Sequence, residues 1–350
     1  MGDMASTHTT SPVFVVGIWR SGTSLLYSLL NQHPEISLLY EGDLLLLTPL
    51  FDGGRAKADW VERWEFWNST PTRHGMDTDA LPAVDVDIHS AAEASWRHYA
   101  GEASVIGEKS PSYYNSLGSL ASQFPEARFI VIWRDLADTC RSIIKARESS
   151  SFFRKRGILH RAILGYRRLK QQCDALVEKR VAIHQLHYED LIEDPTAVMT
   201  GICDFLKVPF DPRMTTLSGA DRTPIYQGSH HDAVKATEIY RAKEEPEVLP
   251  QRVHAKIAAY ISFWHDETAG KWPVNPAPRA GVAKISATAR AIDEILFRLL
   301  WSLDRLTVHI YCGVPITLLR WYRNVKSAMP KPESPITKST RKQPLVSEGN

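Results

Sequence analysis

The run Pro12-Val13-Phe14-Val15-Val16-Gly17 constrains this chain more than any other feature. It is short, apolar, β-branched and closed by glycine, so it reads as a buried strand. Ser21-Gly22-Thr23-Ser24 then opens a helix over Leu25 to Asn31, which ends near His33-Pro34. Two further buried runs, Phe129 to Trp133 and Val181 to Leu186, are followed by helices from about Asp138 to Arg147 and from Pro195 to Leu206. Strands alternating with helices predict an α/β fold, a parallel sheet flanked by helices on both faces. Ligands of such sheets sit outside the carboxyl ends of the strands.

Gly17-Ile18-Trp19-Arg20-Ser21-Gly22-Thr23-Ser24 lies at such an end. It has the outline of a phosphate loop, because glycines let the backbone approach an anion and N–H groups at a helix start face it. The sheet is therefore expected to be P-loop-like. A nucleotide triphosphatase needs Lys after the second glycine to reach the β- and γ-phosphates. That position is Thr23, and the cation sits earlier as Arg20. A planar, always-charged guanidinium suits a terminal phosphate of fixed geometry. A P-loop kinase or NTPase-like enzyme remains the alternative.

Composition narrows the partners. With 42 Lys+Arg against 40 Asp+Glu the net charge is +2, which argues against a surface that grips nucleic acid. The balance hides an asymmetry. Glu41 to Glu93 holds eleven acidic residues and four Lys/Arg, while Arg141 to Lys170 holds ten Lys/Arg and one acid. The basic run is either a solvated face or a positive field near the anion site. Cys140, Cys173, Cys203 and Cys312 are dispersed, with no paired or metal-ligand spacing, which predicts reduced thiols in a cytoplasmic protein without a metal. Residues 1–12 lack the apolar core of a secretory signal, although Met1 to Ser6 fits the bare N-myristoylation pattern.

Val15-Val16-Gly17-Ile18-Trp19-Arg20-Ser21-Gly22-Thr23-Ser24-Leu25-Leu26 resembles the 5′-phosphosulfate loop of sulfotransferases. It is closer to the Arg-containing branch, with tyrosylprotein sulfotransferases and many bacterial members, than to the Lys-containing cytosolic one. The resemblance implies 3′-phosphoadenosine 5′-phosphosulfate (PAPS) as co-substrate, with Arg20, Ser21, Gly22, Thr23 and Ser24 at its 5′ end. It also implies in-line transfer of a sulfuryl group to an acceptor hydroxyl or amine, and release of the 3′,5′-bisphosphate, PAP. The family binds the 3′-phosphate with an Arg at the end of a later strand and a Ser eight residues on. Arg134 and Ser142 stand at those places. Ile106-Gly107-Glu108-Lys109-Ser110-Pro111 resembles the segment whose Lys contacts the bridging region of the donor, which makes Lys109 a candidate stabiliser. The segment from Leu186 to Pro195 resembles one that places Tyr188 near the adenosine, though Tyr188 serves equally well as a core aromatic. Thr237 to Arg241 resembles a late segment that closes over the donor, through Arg241.

The acceptor must lose a proton, so a general base is needed near the loop. In the Arg-containing branch it is a Glu twenty-one residues after the loop Arg, which here is Glu41. Glu41 as base competes with a Glu41 that only orients the acceptor, and with His33 and Asp43; His33 reads as part of a helix end. Arg20 and Lys109 would neutralise charge that builds on the transferred group, as in phosphoryl transfer. The helical segment from Trp60 to Trp67 and the pair Phe152-Phe153 read first as packing faces and second as acceptor-pocket walls. The acceptor is open among small molecules, glycolipids and peptides.

The expected organisation is a disordered start over 1–11, a sulfotransferase domain over 12–272, and a Pro/Ala/Gly linker over 273–284. A C-terminal helical extension follows over 285–325, then a disordered tail over 326–350. Residues 292, 296, 299, 303, 306 and 310 put apolar side chains on one face of that extension, with Glu294, Arg298 and Arg305 opposite. Its stretches free of charge are too short to span a bilayer, which takes ~20 residues. The face therefore packs on its own domain, pairs with a second copy, or lies in a membrane interface.

Overall fold

A computed structural model describes residues 11–51, 56–82, 86–225, 237–239, 248–267 and 284–328. Five strands, β1 (Val13–Val16), β2 (Ile36–Tyr40), β3 (Val105–Lys109), β4 (Arg128–Trp133) and β5 (Ile183–His187), form one parallel sheet in the order β2-β3-β1-β4-β5. The first seven helices are α1 (Thr23–Leu30), α2 (Trp60–Asn68), α3 (Thr70–Arg73), α4 (Ile88–Ala100), α5 (Leu117–Gln123), α6 (Leu136–Ala146) and α7 (Ile158–Glu178). Five follow: α8 (Tyr188–Glu193), α9 (Pro195–Leu206), α10 (Gln251–Glu267), α11 (Ala287–Gly313) and α12 (Ile316–Ala328). The expected α/β sheet is present, with the three strands read from the sequence within two residues of their observed bounds.

Both faces of the sheet are covered, and β1 shows why its run is apolar throughout. Val13 and Val15 enter one buried cluster with Leu26, Ile130 and Met199. Phe14 and Val16 enter the other, where the Phe14 ring meets Trp96, Tyr113, Phe124 and Phe129. With a side-chain period of two, a strand buried on both faces is ordinarily apolar at every position.

β3 is interrupted by Gly107, whose φ is +151°. A Cβ there would lie 2.1 Å from the Val13 carbonyl oxygen, which is backbone in the neighbouring strand. Neither atom can move without parting β1 from β3. Gly107→Ala is therefore expected to destabilise the fold by about 3 kcal/mol or more, read as a fall in denaturant midpoint at unchanged slope.

The chain divides into two compact units, residues 1–313 and 314–350. In the first, α11 lies along α7. Asp304 accepts from Arg161, Glu294 pairs with Arg168, and Asp293 accepts from Lys256 and Tyr260. The basic run thus has a structural use. Arg161 and Arg168 anchor α11, Arg167 pairs with Glu267, and Lys170 pairs with Asp174. The second unit contributes α12, and the stretches 1–10, 273–283 and 329–350 lie outside the described residues.

Candidate active site

The carboxyl ends of β1, β2, β3 and β4 open on one cavity of about 1000 Å³, lined by Arg20, Ser24, Glu41, Asp43, Arg134 and Tyr188 among others. Each of these residues follows a strand, either in the loop after it or in the first turn of the next helix. β1 leads into the loop from Gly17 to Gly22, where Arg20 takes a left-handed conformation at φ 72°. Gly22, at φ 101°, starts α1 without a side-chain cap. A Cβ on Gly22 would lie 2.4 Å from the Tyr188 ring, so glycine lets that ring close over the loop.

The two cationic positions converge. Arg20 Nε donates to Ser142 Oγ at 3.0 Å, and Arg134 Nη1 donates to the Arg20 carbonyl at 3.0 Å. The Arg134 guanidinium stacks over the Tyr188 ring at 4.3 Å, while Tyr166 OH donates to its carbonyl. Burial, with the charge of Arg134 second, pushes the Arg20 pKa down to about 10, which still leaves it charged at neutral pH. Ser21 Oγ and Arg134 Nε are buried without a hydrogen-bond partner. Orphaned donors beside an uncapped helix start, with two guanidinium groups, make a site that suits a ligand carrying separate anionic groups. Asp135, next to Arg134, caps α6 by accepting from the Asp138 N–H at 2.8 Å. No metal-holding group of His, Cys, Asp and Glu occurs among the described residues.

A second cluster sits where β2 and β3 end. Lys109 is fully buried, and its Nζ donates to Glu41 Oε1 at 2.6 Å. The same nitrogen lies 3.4 Å from Ser24 Oγ in the first turn of α1 and 3.5 Å above the Tyr40 ring. Burial pushes the Lys109 pKa down, and the Glu41 carboxylate partly holds it up. Asp43 accepts from Ser110 Oγ, and its backbone N–H donates to Glu108. Burial raises both carboxyls, Asp43 and Glu108, and each is raised further by a neighbouring carboxylate.

Glu41 and Asp43 adopt left-handed backbone at φ 50° and 57°. Such residues cost energy and persist only where their surroundings over-determine them. Asn68 Nδ2 donates to the carbonyls of Glu41 and Gly42, Trp64 Nε1 donates to Gly42 O, and Arg73 Nη2 donates to Tyr40 and Glu41 O. The turn that aims Glu41 is thus fixed from α2 and α3.

Arg20, Thr23, Ser24, Glu41, Lys109, Arg134, Ser142 and Tyr188 are all brought to this region, whereas Arg241 lies outside the described residues. His33 is elsewhere, with Nε2 at the Pro209 carbonyl and Nδ1 accepting from the Glu35 N–H, which closes the turn after α1. Trp60 and Trp64 are core, while Trp67, Phe152 and Phe153 line the cavity. Asp43 was weighed as a base from sequence but its partner Glu108 was not singled out, although a carboxyl inside a buried strand is rare. Nor was the far wall, where α11 contributes Trp301, Asp304 and Val308.

A family model described as "Sulfotransferase family" matches residues 12–212, more than half of the chain. Protein-tyrosine sulfotransferase A of Caenorhabditis elegans is 26% identical over 209 residues, covering 59% of this chain and 52% of that protein. Protein-tyrosine sulfotransferase 1 of Danio rerio is 25% identical over 206 residues, covering 57% and 54%. The chain therefore spans about half the length of these relatives. Among solved structures, a sulfotransferase domain from the curacin biosynthetic pathway superposes with a TM-score of 0.50 at 17% identity, covering 75% of this chain and 99% of that domain.

Proposed function

The chain belongs to the sulfotransferase family, and on that premise we propose that it transfers a sulfuryl group from PAPS to an acceptor hydroxyl or amine. One observation carries the reading. Arg20 is linked by hydrogen bonds to Arg134 and Ser142, more than a hundred residues away, at the uncapped start of α1, and the Glu41–Lys109 pair meets the first turn of the same helix at Ser24. The donor supplies an activated sulfuryl group on a phosphate leaving group.

The chain's own residues divide the remaining work. Arg134 and Ser142 hold the 3′-phosphate, and Tyr188, stacked on Arg134, offers an aromatic face to the base. Arg20 and the N–H groups at the start of α1 hold the 5′ end. Lys109, dry and preorganised, stabilises charge that builds toward the leaving oxygen. Glu41 Oε1 is held by Lys109, and Glu41 is the base that takes the acceptor proton. The protein-tyrosine sulfotransferase relatives and the cavity walls of Trp67, Phe152 and Trp301 together favour an acceptor with an apolar body beside its hydroxyl. We read the protein as acting without a metal. No helix among the described residues is long and apolar enough to cross a membrane, and a cytoplasmic site of action is part of this reading.

The test is a thermal-shift comparison. PAP without Mg²⁺ is expected to raise the melting temperature, since a ligand at ~100 times its dissociation constant contributes ~2.7 kcal/mol. Stabilisation by ATP with Mg²⁺ and none by PAP would replace this reading with the kinase-like one.

A further inference from the structure

The sequence puts an apolar face on α11, and the structure turns that face outward. Ile292, Leu296, Leu299, Leu303, Leu306 and Ile310 are 42% to 60% exposed, and Ile295 beside them is 59% exposed. At 3.6 residues per turn they form one stripe ~27 Å long. Such a patch exceeds the scattered apolar exposure normal for a protein surface. The packing face is the other one, where Phe297 is buried and Trp301 and Val308 line the cavity.

The charges on α11 are sorted as well. Its three acidic residues, Asp293, Glu294 and Asp304, all pair with cations of α7 or α10. Arg298 shares Glu294 with Arg168, yet its side chain is 71% exposed, and Arg305 and His309 are exposed beside it. The outer side of the helix is therefore apolar with a cationic margin, and its one half-exposed acid, Asp304, is held by Arg161. Pairing with a second copy would set these arginines against each other, whereas a coiled-coil seam is flanked by both signs. A helix with an apolar stripe and a cationic margin fits a bilayer surface that carries anionic lipid.

We propose that α11 docks this protein on anionic lipid membranes, with the stripe from Ile292 to Ile310 in the acyl boundary and Arg298 and Arg305 at the headgroups. The inner side of the same helix lines the cavity, so docking holds the cavity beside the lipid surface. The proposal stands on the exposure and charge of α11 and not on the reading of the donor site.

The test is co-sedimentation of the full chain with vesicles of phosphatidylcholine containing phosphatidylglycerol, and with phosphatidylcholine alone. Binding to the anionic vesicles is expected, at least tenfold weaker on the neutral ones and reduced by high salt. Leu299→Glu/Leu303→Glu should lower it at least tenfold with an unchanged melting temperature, because both side chains already face water. Leu299→Ser/Leu303→Ser serves the same purpose if the charged pair perturbs folding. No binding to anionic vesicles, or binding that both variants retain, overturns the proposal. So does a dimer by light scattering that the variants split, since the stripe would then be covered by a second copy.

Discussion

Glu41→Gln is expected to lower the rate of sulfuryl transfer by 10²- to 10⁴-fold, the usual contribution of a positioned general base, while PAP still raises the melting temperature. The glutamine keeps the shape and the Lys109 hydrogen bond but removes the basic oxygen. Its neighbours hold the backbone turn through main-chain contacts from Asn68, Trp64 and Arg73, so the geometry should survive. A second consequence concerns Lys109. Burial lowers its pKa and the Glu41 charge opposes that, so without the charge Lys109 loses its proton at lower pH. The alkaline limb of the residual activity should move down in pH. Transfer within threefold of the parent would remove Glu41 as base. Parallel loss of transfer and PAP stabilisation would make it a structural residue.

The two halves of the candidate site differ in how far the sequence shows them, and the reason lies in how each is encoded. The strand–loop–helix from Val13 to Leu30 is local: one apolar run, two glycines and a helix start specify it within eighteen residues. Arg134 and Ser142 are equally local to the end of β4, and only their meeting with Arg20 needs the fold. β2 and β3 were harder to read as strands, because Ser37, Gly107, Glu108 and Lys109 break their apolar character. Two of those breaks lie at the candidate site, where Lys109 is buried against Glu41 and Glu108 is a buried carboxyl that burial pushes up to about 8, both at a cost to the core. α7 was hidden by its surface: Arg161, Arg167 and Arg168 read as a basic run, while Ile158, Ala162, Tyr166 and Leu169 make its buried face.

α11 shows the opposite failure. Its periodicity gives a helix, but no pattern within one segment says which side faces the protein. An apolar stripe is ordinarily the inner side. Here the choice was made by Asp293, Glu294 and Asp304, whose partners lie in α7 and α10. Reading them needs the acids and their partners together, because each charge alone looks like a solvated one. The far wall of the cavity depends on that choice, so it lay beyond the reach of the motifs around Arg20 and Arg134.

Lys109→Met should cost both activity and stability, and the two losses can be separated. The methionine fills most of the lysine volume, so the change is chiefly the loss of one charge. Loss of a preorganised stabiliser is expected to lower transfer by about 10²- to 10³-fold. Stability falls for another reason. Glu41 would lose the ammonium that pairs with it while Asp43 stays close by, and breaking a buried pair from one side costs ~3–5 kcal/mol. The lower end is expected here, because the Glu41 side chain is 21% exposed and water can solvate it. Glu41→Gln/Lys109→Met removes the stranded carboxylate as well. The double variant should therefore recover most of the lost denaturation midpoint while transfer stays at or below the level of the worse single variant. A double variant no more stable than Lys109→Met would mean that the stranded Glu41 carboxylate is not the source of the lost stability. One whose activity rises above both single variants would mean that the Glu41–Lys109 pair is not part of the transfer machinery. The coupling energy from the cycle is read directly, since the two groups are in contact and additivity is not expected.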